Sequence, residues 1–576
     1  MYIKNVHIKN FRNFKEYNVS LKPFSIIIGE NDSGKSNFID ALCLPLSKND
    51  FRYNSKSLKI SDINKEAILE FIIYISENLD IIKDKLTKGE DLSEIFSKIP
   101  IVEVVIEIVE AKSSIERAIL KDWMVEREES ISYEIKYTYQ PRKSIEIIEY
   151  MIEIVARSDN IKESTFPVEL YEYNITSTNN ERRIPSSKLA NLKVSIIHAE
   201  RDSFSDSEYQ KSNKMISELI EKNLDEADKV KIHKAYINFF EDIKEVESFK
   251  NAFDHLNEEE FKNIKKYMDD MNLTPNFPNL KNVFSNINIG YGDDFLYQRG
   301  LGTRNFVLMA FLFSYYYKPR DVFNLICIEE PEAHLCVNNF NIVLDFINKS
   351  RNKSNTLAQI LLTSHNPKII NKLRLDNVIV LTEKGQVDFS NVDEEYVKYL
   401  AKRPNFDILK LLFSNKVILV EGPTEEMLIN SILELREDNL VDIEVIAVGH
   451  KGFRKYLDIW LLLNKGNENR KIGIIRDFDN QPKAKEDHDI YDVENANVFV
   501  RTTKGYTLED DLASSGNNSE VLSDYFEIEN DKEKVSEFLK SQKAENMLNL
   551  AILIADKELS LEIPTHINEV IECLLD

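Results

Sequence analysis

Phe24-Ser25-Ile26-Ile27-Ile28-Gly29-Glu30-Asn31-Asp32-Ser33-Gly34-Lys35-Ser36 is the stretch whose reading decides the fold. An apolar run of strand length leads into the pattern G-x-x-x-x-G-K-[ST], and an apolar helical start follows. In that setting the glycines let the backbone wrap phosphate oxygens, Lys35 reaches the β- and γ-phosphates, and Ser36 holds Mg²⁺. Gly29, Asn31, Gly34, Lys35, Ser36 and Asn37 are therefore the expected contacts for ATP. A chance Gly-Lys-Ser turn would not arrive with strand, loop and helix in this order.

Partners for this loop lie far downstream. Residues 324–328 form a short apolar strand pattern followed by Glu329 and Glu330, and residues 359–363 form another followed by Ser364 and His365. Glu329 is placed to hold Mg²⁺ through water, Glu330 to polarise the water attacking the γ-phosphate, and His365 to touch that phosphate. Each signal alone is weak, because acids after a strand usually mean surface charge and a lone histidine is usually a satisfied core residue. In this order they support one another.

Bulk properties set the frame. A chain of 576 residues exceeds one core, and a 43% hydrophobic and 10% aromatic content is ample for several, which excludes a disordered chain. The formal net charge of −24 argues against gripping nucleic acid by overall field, so a DNA-acting protein of this composition relies on local basic patches or on cations held by its acids. Cys43, Cys327, Cys336 and Cys573 lack C-x-x-C spacing and read as small buried hydrophobes in a reducing compartment. No run approaches the length of a membrane span, and residues 1–10 alternate as a half-buried strand does, so no membrane partner and a cytoplasmic location are expected.

The elements read as follows. Residues 2–9 and 17–28 are expected strands flanking a turn at residues 11–14, and a helix follows the loop to about Pro45. Residues 67–157 read as an antiparallel sheet with strands at 101–110, 131–139 and 145–155, with one more strand at 193–198. Residues 206–271 are charged, nearly free of Gly and Pro, and carry apolar residues at helical spacing, such as Ile232, Tyr236, Phe239 and Phe240. That pattern predicts an amphipathic arm, with self-association as the sharper reading. Residues 372–400 add a hairpin and a helical linker, after which strands at 416–420, 444–448, 472–475 and 497–500 alternate with helices as in a parallel α/β sheet.

The second half carries a group of acids. Glu421 ends a strand and Glu425 stands four residues on, at a helix start, so both point into the crevice above the sheet. Asp477 and Asp479 alternate at another strand end, and Glu509, Asp510 and Asp511 follow a third. Carboxylates that face one another repel unless a cation neutralises them, and hard oxygen ligands suit Mg²⁺ or Mn²⁺. Glu421, Glu425, Asp477, Asp479, Glu509 and Asp511 are the expected metal ligands, and two ions there would serve phosphodiester cleavage. Helix-start acids helping the dipole would account for Glu425 and Glu509 but not for Glu421, Asp477 and Asp479.

The first half resembles ATP-binding-cassette (ABC) ATPases of the recombination and chromosome-maintenance type. The resemblance implies that Arg299-Gly300-Leu301-Gly302-Thr303-Arg304 stands at the signature loop, with Gly300 and Gly302 touching nucleotide, and that residues 331–335 form the D-loop. The usual signature serine is absent, and no glutamine stands between Asp50 and Gln140 for a Q-loop. A head-to-tail dimer is implied. The second half looks like a Toprim domain: Glu421 matches its glutamate, Asp477 and Asp479 its D-x-D pair, and residues 448–452 its glycine turn.

This order, with the added acids at 425, 509 and 511, resembles the overcoming-lysogenization-defect (OLD) nucleases, including their Gabija antiphage branch. That implies an α/β fold in which an ABC-type ATPase domain with a mixed sheet and helical insertion spans 1–395, a linker 396–414, and a Toprim nuclease domain 415–576. It also implies ATP regulation, double-stranded DNA as substrate, homo-oligomers, and a superfamily-1 helicase or reverse-transcriptase partner. The catalytic set carried over is Glu421, Asp477, Asp479 and Asp511, with Glu330 in the ATPase. Lys543 is the candidate for stabilising transition-state charge and Lys540 the second. A reading from another class is a RecF- or SMC-like structural ATPase whose acidic domain binds proteins; Glu425, Glu509 and Asp511 have no use in such a scaffold. A primase or topoisomerase is a third, without zinc-ribbon cysteine pairs to support it.

Overall fold

In a computed structural model of the chain, the strand Phe24–Ile28 lies inside a seven-stranded sheet. The structure describes residues 1–30, 32–48, 56–127, 130–157, 165–179, 182–197, 224–247, 290–316, 323–351, 358–382, 385–389, 395, 408–436, 442–449 and 452–576. The sheet runs in the order Gly385–Asp388, Val378–Thr382, Phe24–Ile28, Ala358–Thr363, Phe323–Glu329, Leu192–Ile197, Ser47–Lys48, all parallel except the first pair. Every residue of Phe24–Ile28 is buried, as a parallel strand covered on both faces requires. The phosphate loop, Glu329–Glu330 and His365 thereby leave the same end of three strands that are neighbours in the sheet.

One face of this sheet packs on a six-stranded antiparallel sheet built on Tyr2–Phe11, Phe14–Ser20, Val102–Val109 and Ser130–Pro141, with Phe38, Ile39 and Leu42 of the helix Lys35–Cys43 between them. The other face is covered by the helices Leu301–Tyr316, Val337–Arg351 and Pro367–Leu373. That second core continues through Val380 and Phe389 to Leu411, Leu412 and Trp460, so the two halves of the chain share apolar packing. The C-terminal sheet is parallel, ordered Ile443–Ala447, Lys416–Val420, Lys471–Arg476, Val498–Thr502. Its central strand alternates faces: Val417 and Leu419 belong to the core shared with the ATPase half, whereas Ile418 and Val420 face the helices Pro423–Leu435, Lys543–Ala555 and Thr565–Leu575.

Several expectations change. Residues 17–28 are two strands, because Pro23 cannot donate to a ladder and the chain turns there from the antiparallel to the parallel sheet. Residues 145–155 fall in a helix, Ser144–Arg157: Ile147, Ile148, Met151, Ile152 and Val155 repeat at 3.6-residue spacing and form its buried face. Lys65–Glu77 is a helix for the same reason, burying Ala67, Ile68, Phe71, Ile72 and Ile75, and Leu79–Lys88 is a helix that buries Ile82. Of the charged arm, the described part is the helix Glu226–Lys244, which buries none of its residues; Met215, Leu219 and Ile220 lie outside the described residues. Within 396–414 the described end is the helix Ile408–Phe413, with Ile408, Leu411 and Leu412 buried. Cys43 and Cys327 are buried as expected, while Cys336 is exposed. Among the described residues no helix is long and apolar enough to cross a membrane.

Candidate functional site

The phosphate loop is built by backbone conformation. Gly34 caps the helix Lys35–Cys43 with φ 93°, a left-handed geometry that side chains resist, and a Cβ there would meet the Asn13 amide at 2.5 Å. Lys35 Nζ donates to the carbonyls of Gly29 at 3.1 Å and Glu30 at 2.8 Å, and burial holds its ammonium below the ordinary lysine value. Phosphate oxygens would compete for those same protons. Ser36 is exposed at the first turn, and Asn31 lies outside the described residues. The Asn37 amide is engaged elsewhere: it accepts from Arg12 Nη1 at 2.8 Å and donates to Asn13 at 2.8 Å. Arg12, which sequence reading gave no role, also donates to Asp40 at 2.7 Å and Asp62 at 2.9 Å, fixing the helix below the loop.

Glu330 takes φ 38° and its N–H donates to the Thr363 carbonyl at 3.0 Å, tying it to the end of the strand Ala358–Thr363, two residues before His365. His365 Nε2 stands 3.8 Å from the Glu330 carboxylate, and burial together with Lys35 lowers its pKa. Glu329, Glu330 and His365 thus converge with Lys35 on one end of the sheet. Glu332, unnoticed in the sequence, has its pKa raised by burial and accepts from Ser364 Oγ at 2.7 Å and His365 N at 2.9 Å. Gly302 sits in the first turn of Leu301–Tyr316, where a Cβ would come within 2.7 Å of the His334 carbonyl, while Gly300 is exposed with open space around it. Gly302 therefore lies on the 331–335 side of this chain, with Gly300 open toward solvent.

The acid centre is assembled from four segments. Glu421 leaves the strand Lys416–Val420, and its carboxylate accepts from Asp477 N at 3.3 Å. The Val448 and Gly449 amides pin the Val420 and Glu421 carbonyls at 2.8 Å; His450 and Lys451 of that turn lie outside the described residues. Glu425 folds back over Gly422, where a Cβ would meet its Oε2 at 2.8 Å and push the carboxylate aside. Asp477 and Asp479 lie in the turn after Lys471–Arg476, not in the strand: Asp479 takes φ 48° and its N–H donates to the Tyr506 carbonyl at 3.1 Å.

Electrostatics bind these residues together. Burial, then repulsion from Glu421, Glu509 and Glu425, pushes Asp477 up to about 8. Burial also raises Glu421, with Asp479 and Glu425 adding to it. Lys543 Nζ stands between two buried acids, 2.7 Å from Glu425 Oε1 and 3.0 Å from Glu509 Oε1, the second contact being an ion pair without hydrogen-bond alignment. Burial raises Glu425, but the bond from Lys543 outweighs it and the carboxyl is held low. For Lys543, burial opposes the charged form and the two acids more than restore it. Arg476, 5% exposed and named in no sequence-level role, adds positive charge beside Glu421, Asp477 and Asp479.

Asp511 stands apart from the expectation. Its Oδ1 accepts from Gly505 N at 2.6 Å, its Oδ2 from Lys504 N at 2.9 Å, and His566 Nδ1 lies 3.0 Å away. Both oxygens are spent on holding the 504–505 turn. Residues two apart on a helix point about 200° apart, so Glu509 and Asp511 could not both face the centre. Lys540 is paired with Asp510 at 2.6 Å and is likewise turned to another task. Among the described residues no three His, Cys, Asp or Glu side chains are already drawn together as a chelate; Lys543 stands between Glu425 and Glu509.

The AAA ATPase domain family matches residues 1–370, well over half the chain. The chain belongs to this family. Residues 412–479 match the overcoming lysogenization defect protein-like TOPRIM domain, a span that holds Glu421, Glu425, Asp477 and Asp479 and stops short of Glu509 and Lys543. The chain is similar to Endonuclease GajA of Bacillus cereus strain VD045, 24% identical over 453 residues, covering 75% of this chain and 68% of that one. It is also similar to Endonuclease GajA of strain HuB5-5, 23% identical over 512 residues, covering 75% and 71%. A solved C-terminal region of the Burkholderia pseudomallei OLD protein aligns with 29% of this chain and 98% of its own at 18% identity, with a TM-score of 0.22, too loose a superposition to bear on the site. An AAA ATPase half followed by a TOPRIM half is thus the architecture the motifs implied.

Proposed function

We propose that this AAA ATPase–TOPRIM chain is a divalent-metal-dependent DNA endonuclease whose nucleotide-binding half regulates cutting, in defence against phage. The observation that carries the reading is a centre in which Glu421, Glu425, Asp477, Asp479 and Glu509 face, among the described residues, Lys543 and Arg476 as near cations. Similarity to two proteins named as endonucleases supports the reaction class. Double-stranded DNA as substrate, a second copy of the chain to cover the Gly300 face, and a helicase or reverse-transcriptase partner belong to the same reading.

The centre's residues fit Mg²⁺ or Mn²⁺. The donors are hard carboxylate oxygens, Glu509 is 1% exposed with Oε1 lacking a hydrogen bond, and burial, then repulsion from the neighbouring acids, pushes Asp477 up to about 8. Glu421, Asp477 and Asp479 would hold the ion, with Glu425 and Glu509 beside them. Such an ion supplies Lewis-acid polarisation of the phosphodiester and a water of lowered pKa. The chain's own groups do the rest: Lys543 offers an ammonium to charge developing on the phosphate, and Arg476 adds positive charge near Glu421, Asp479 and Asp477. In the ATPase half Ser36 and Glu329 would hold the Mg²⁺ that accompanies ATP, Lys35 its phosphates, and Glu330 with His365 the γ-phosphate side.

Purified protein mixed with supercoiled plasmid and Mg²⁺ or Mn²⁺, with and without ATP, tests the reading. Nicked or linear product is expected, and Glu421→Ala abolishes it while nucleotide binding persists. Plasmid left intact by the parent protein in every condition refutes it.

A further inference from the structure

The nucleotide loop and the acid centre are connected through one side-chain pair and one strand. The Glu30 carbonyl accepts from Lys35 Nζ at 2.8 Å, and the Glu30 carboxylate pairs with Arg470 Nη2 from the TOPRIM half. Arg470 is no loose surface residue: its side chain is 13% exposed, and Nη1 donates to the Leu412 carbonyl at 2.8 Å and to Asn464 Oδ1 at 3.0 Å. Asn464 is fully buried, donates to Leu412 O at 3.3 Å, and its own carbonyl accepts from Asn497 at 2.8 Å. The guanidinium is therefore anchored in the base of the TOPRIM sheet. Arg470 immediately precedes the strand Lys471–Arg476, and Asp477 immediately follows it. Six extended residues reach about 20 Å, the span from one site to the other along a single rigid element.

The same junction holds an open cleft of about 570 Å³, lined by Gly29, Glu30 and His365 on one side and by Leu409, Phe413 and Ser414 on the other. The helix Ile408–Phe413 that supplies the far wall buries Leu411 and Leu412 in the core containing Trp460. A nucleotide on the loop thus lies beside a wall that belongs to the TOPRIM packing. Its phosphate oxygens would take Lys35 from the Gly29 and Glu30 carbonyls, freeing the peptide whose side chain Arg470 already holds.

We propose that the Glu30–Arg470 ion pair couples nucleotide occupancy to the nuclease centre: loading the loop resets Glu30, and Arg470 passes the change along Lys471–Arg476 to Asp477. This rests on the nucleotide and nuclease readings above and adds the route between them.

The test is amide hydrogen exchange on the full chain with and without Mg²⁺–ATP, alongside titration with a fluorescent ATP analogue. In the parent protein ATP alters exchange over residues 471–477 by about 5-fold or more, the low end of an allosteric coupling. Arg470→Ala loses that response while affinity for the analogue stays within about 3-fold. Because Arg470→Ala also removes bonds to Leu412 and Asn464, Glu30→Gln is the second variant; it leaves those bonds in place and also loses the response. Parent protein that binds the analogue without any change at 471–477, or variants that both keep the change, overturn the coupling. Absence of binding by the parent overturns the nucleotide reading and the coupling with it. A coupled exchange response in a protein that cuts no plasmid upholds the route and refutes only the nuclease reading.

Discussion

Two lysines show how differently the two sites are made. Lys35 is held by backbone carbonyls inside one contiguous loop, and burial lowers its pKa; among the described residues no carboxylate bonds it, so the site favours an incoming anion. Lys543 is held by Glu425 and Glu509, which come from segments 118 and 34 residues away, and its pKa is raised; around it negative charge is in excess, so the site favours an incoming cation. The comparison teaches that local backbone geometry is enough to make a phosphate cradle. A cation centre of buried acids needs the whole fold to force like charges together.

The sharpest way to break that contrast is Lys543→Ala. Plasmid cutting should fall on the order of 10²–10³-fold, the scale for losing one preorganised group beside developing charge. Glu425 and Glu509 would be left buried without their partner, destabilising the metal-free protein by about 1–3 kcal/mol, less than a fully buried pair because the lysine is partly exposed. Mn²⁺ should restore the melting temperature of this variant. If it does not, the centre is no cation site.

Lys35→Ala acts on the other side of the contrast. Losing a charged hydrogen-bond donor to phosphate should weaken ATP binding about 10- to 100-fold in a fluorescence titration, with thermal stability little changed. A large loss of stability would mean that the lysine's bonds to Gly29 and Glu30 matter more than its readiness for phosphate.

A further expected effect concerns pH. Asp477 has a folded pKa of about 8 against an ordinary 3.8, so the folded protein binds the extra proton between those values. Stability from this group is fully present below about pH 4 and is lost as pH rises toward and through 8. In chelator-treated protein the melting temperature should therefore decline across that window, and Asp477→Asn should flatten the decline. A profile unchanged by Asp477→Asn would show that the acids are less crowded than their burial implies.

The legibility of the chain follows the same division. Both parallel sheets and the Val102–Val109 strand were readable, because apolar runs between turn signals report on the residues themselves. Ser144–Arg157 was misread as a strand because β-branched isoleucines dominate it; the spacing of its buried residues held the better signal. Glu509 against Asp511 was readable in principle, since two residues on a helix cannot face one way. Which of them turns inward was not, because His566 and the 504–505 turn decide it.

By itself the sequence determined the phosphate loop, the order of an ATPase half before a TOPRIM half, and the presence of acids at strand ends. The loop and the strand-end acids rest on backbone conformation and periodicity, which are properties of neighbours in the chain, and the order of the two halves rests on their resemblance to known families. Only the tertiary structure decided that Lys543 and not Lys540 enters the acid centre, that Arg476 lies beside the acids, and that Glu30 meets Arg470 across 440 residues of chain. Charge pairing between distant segments depends on which faces the cores bury, and no local pattern records that choice.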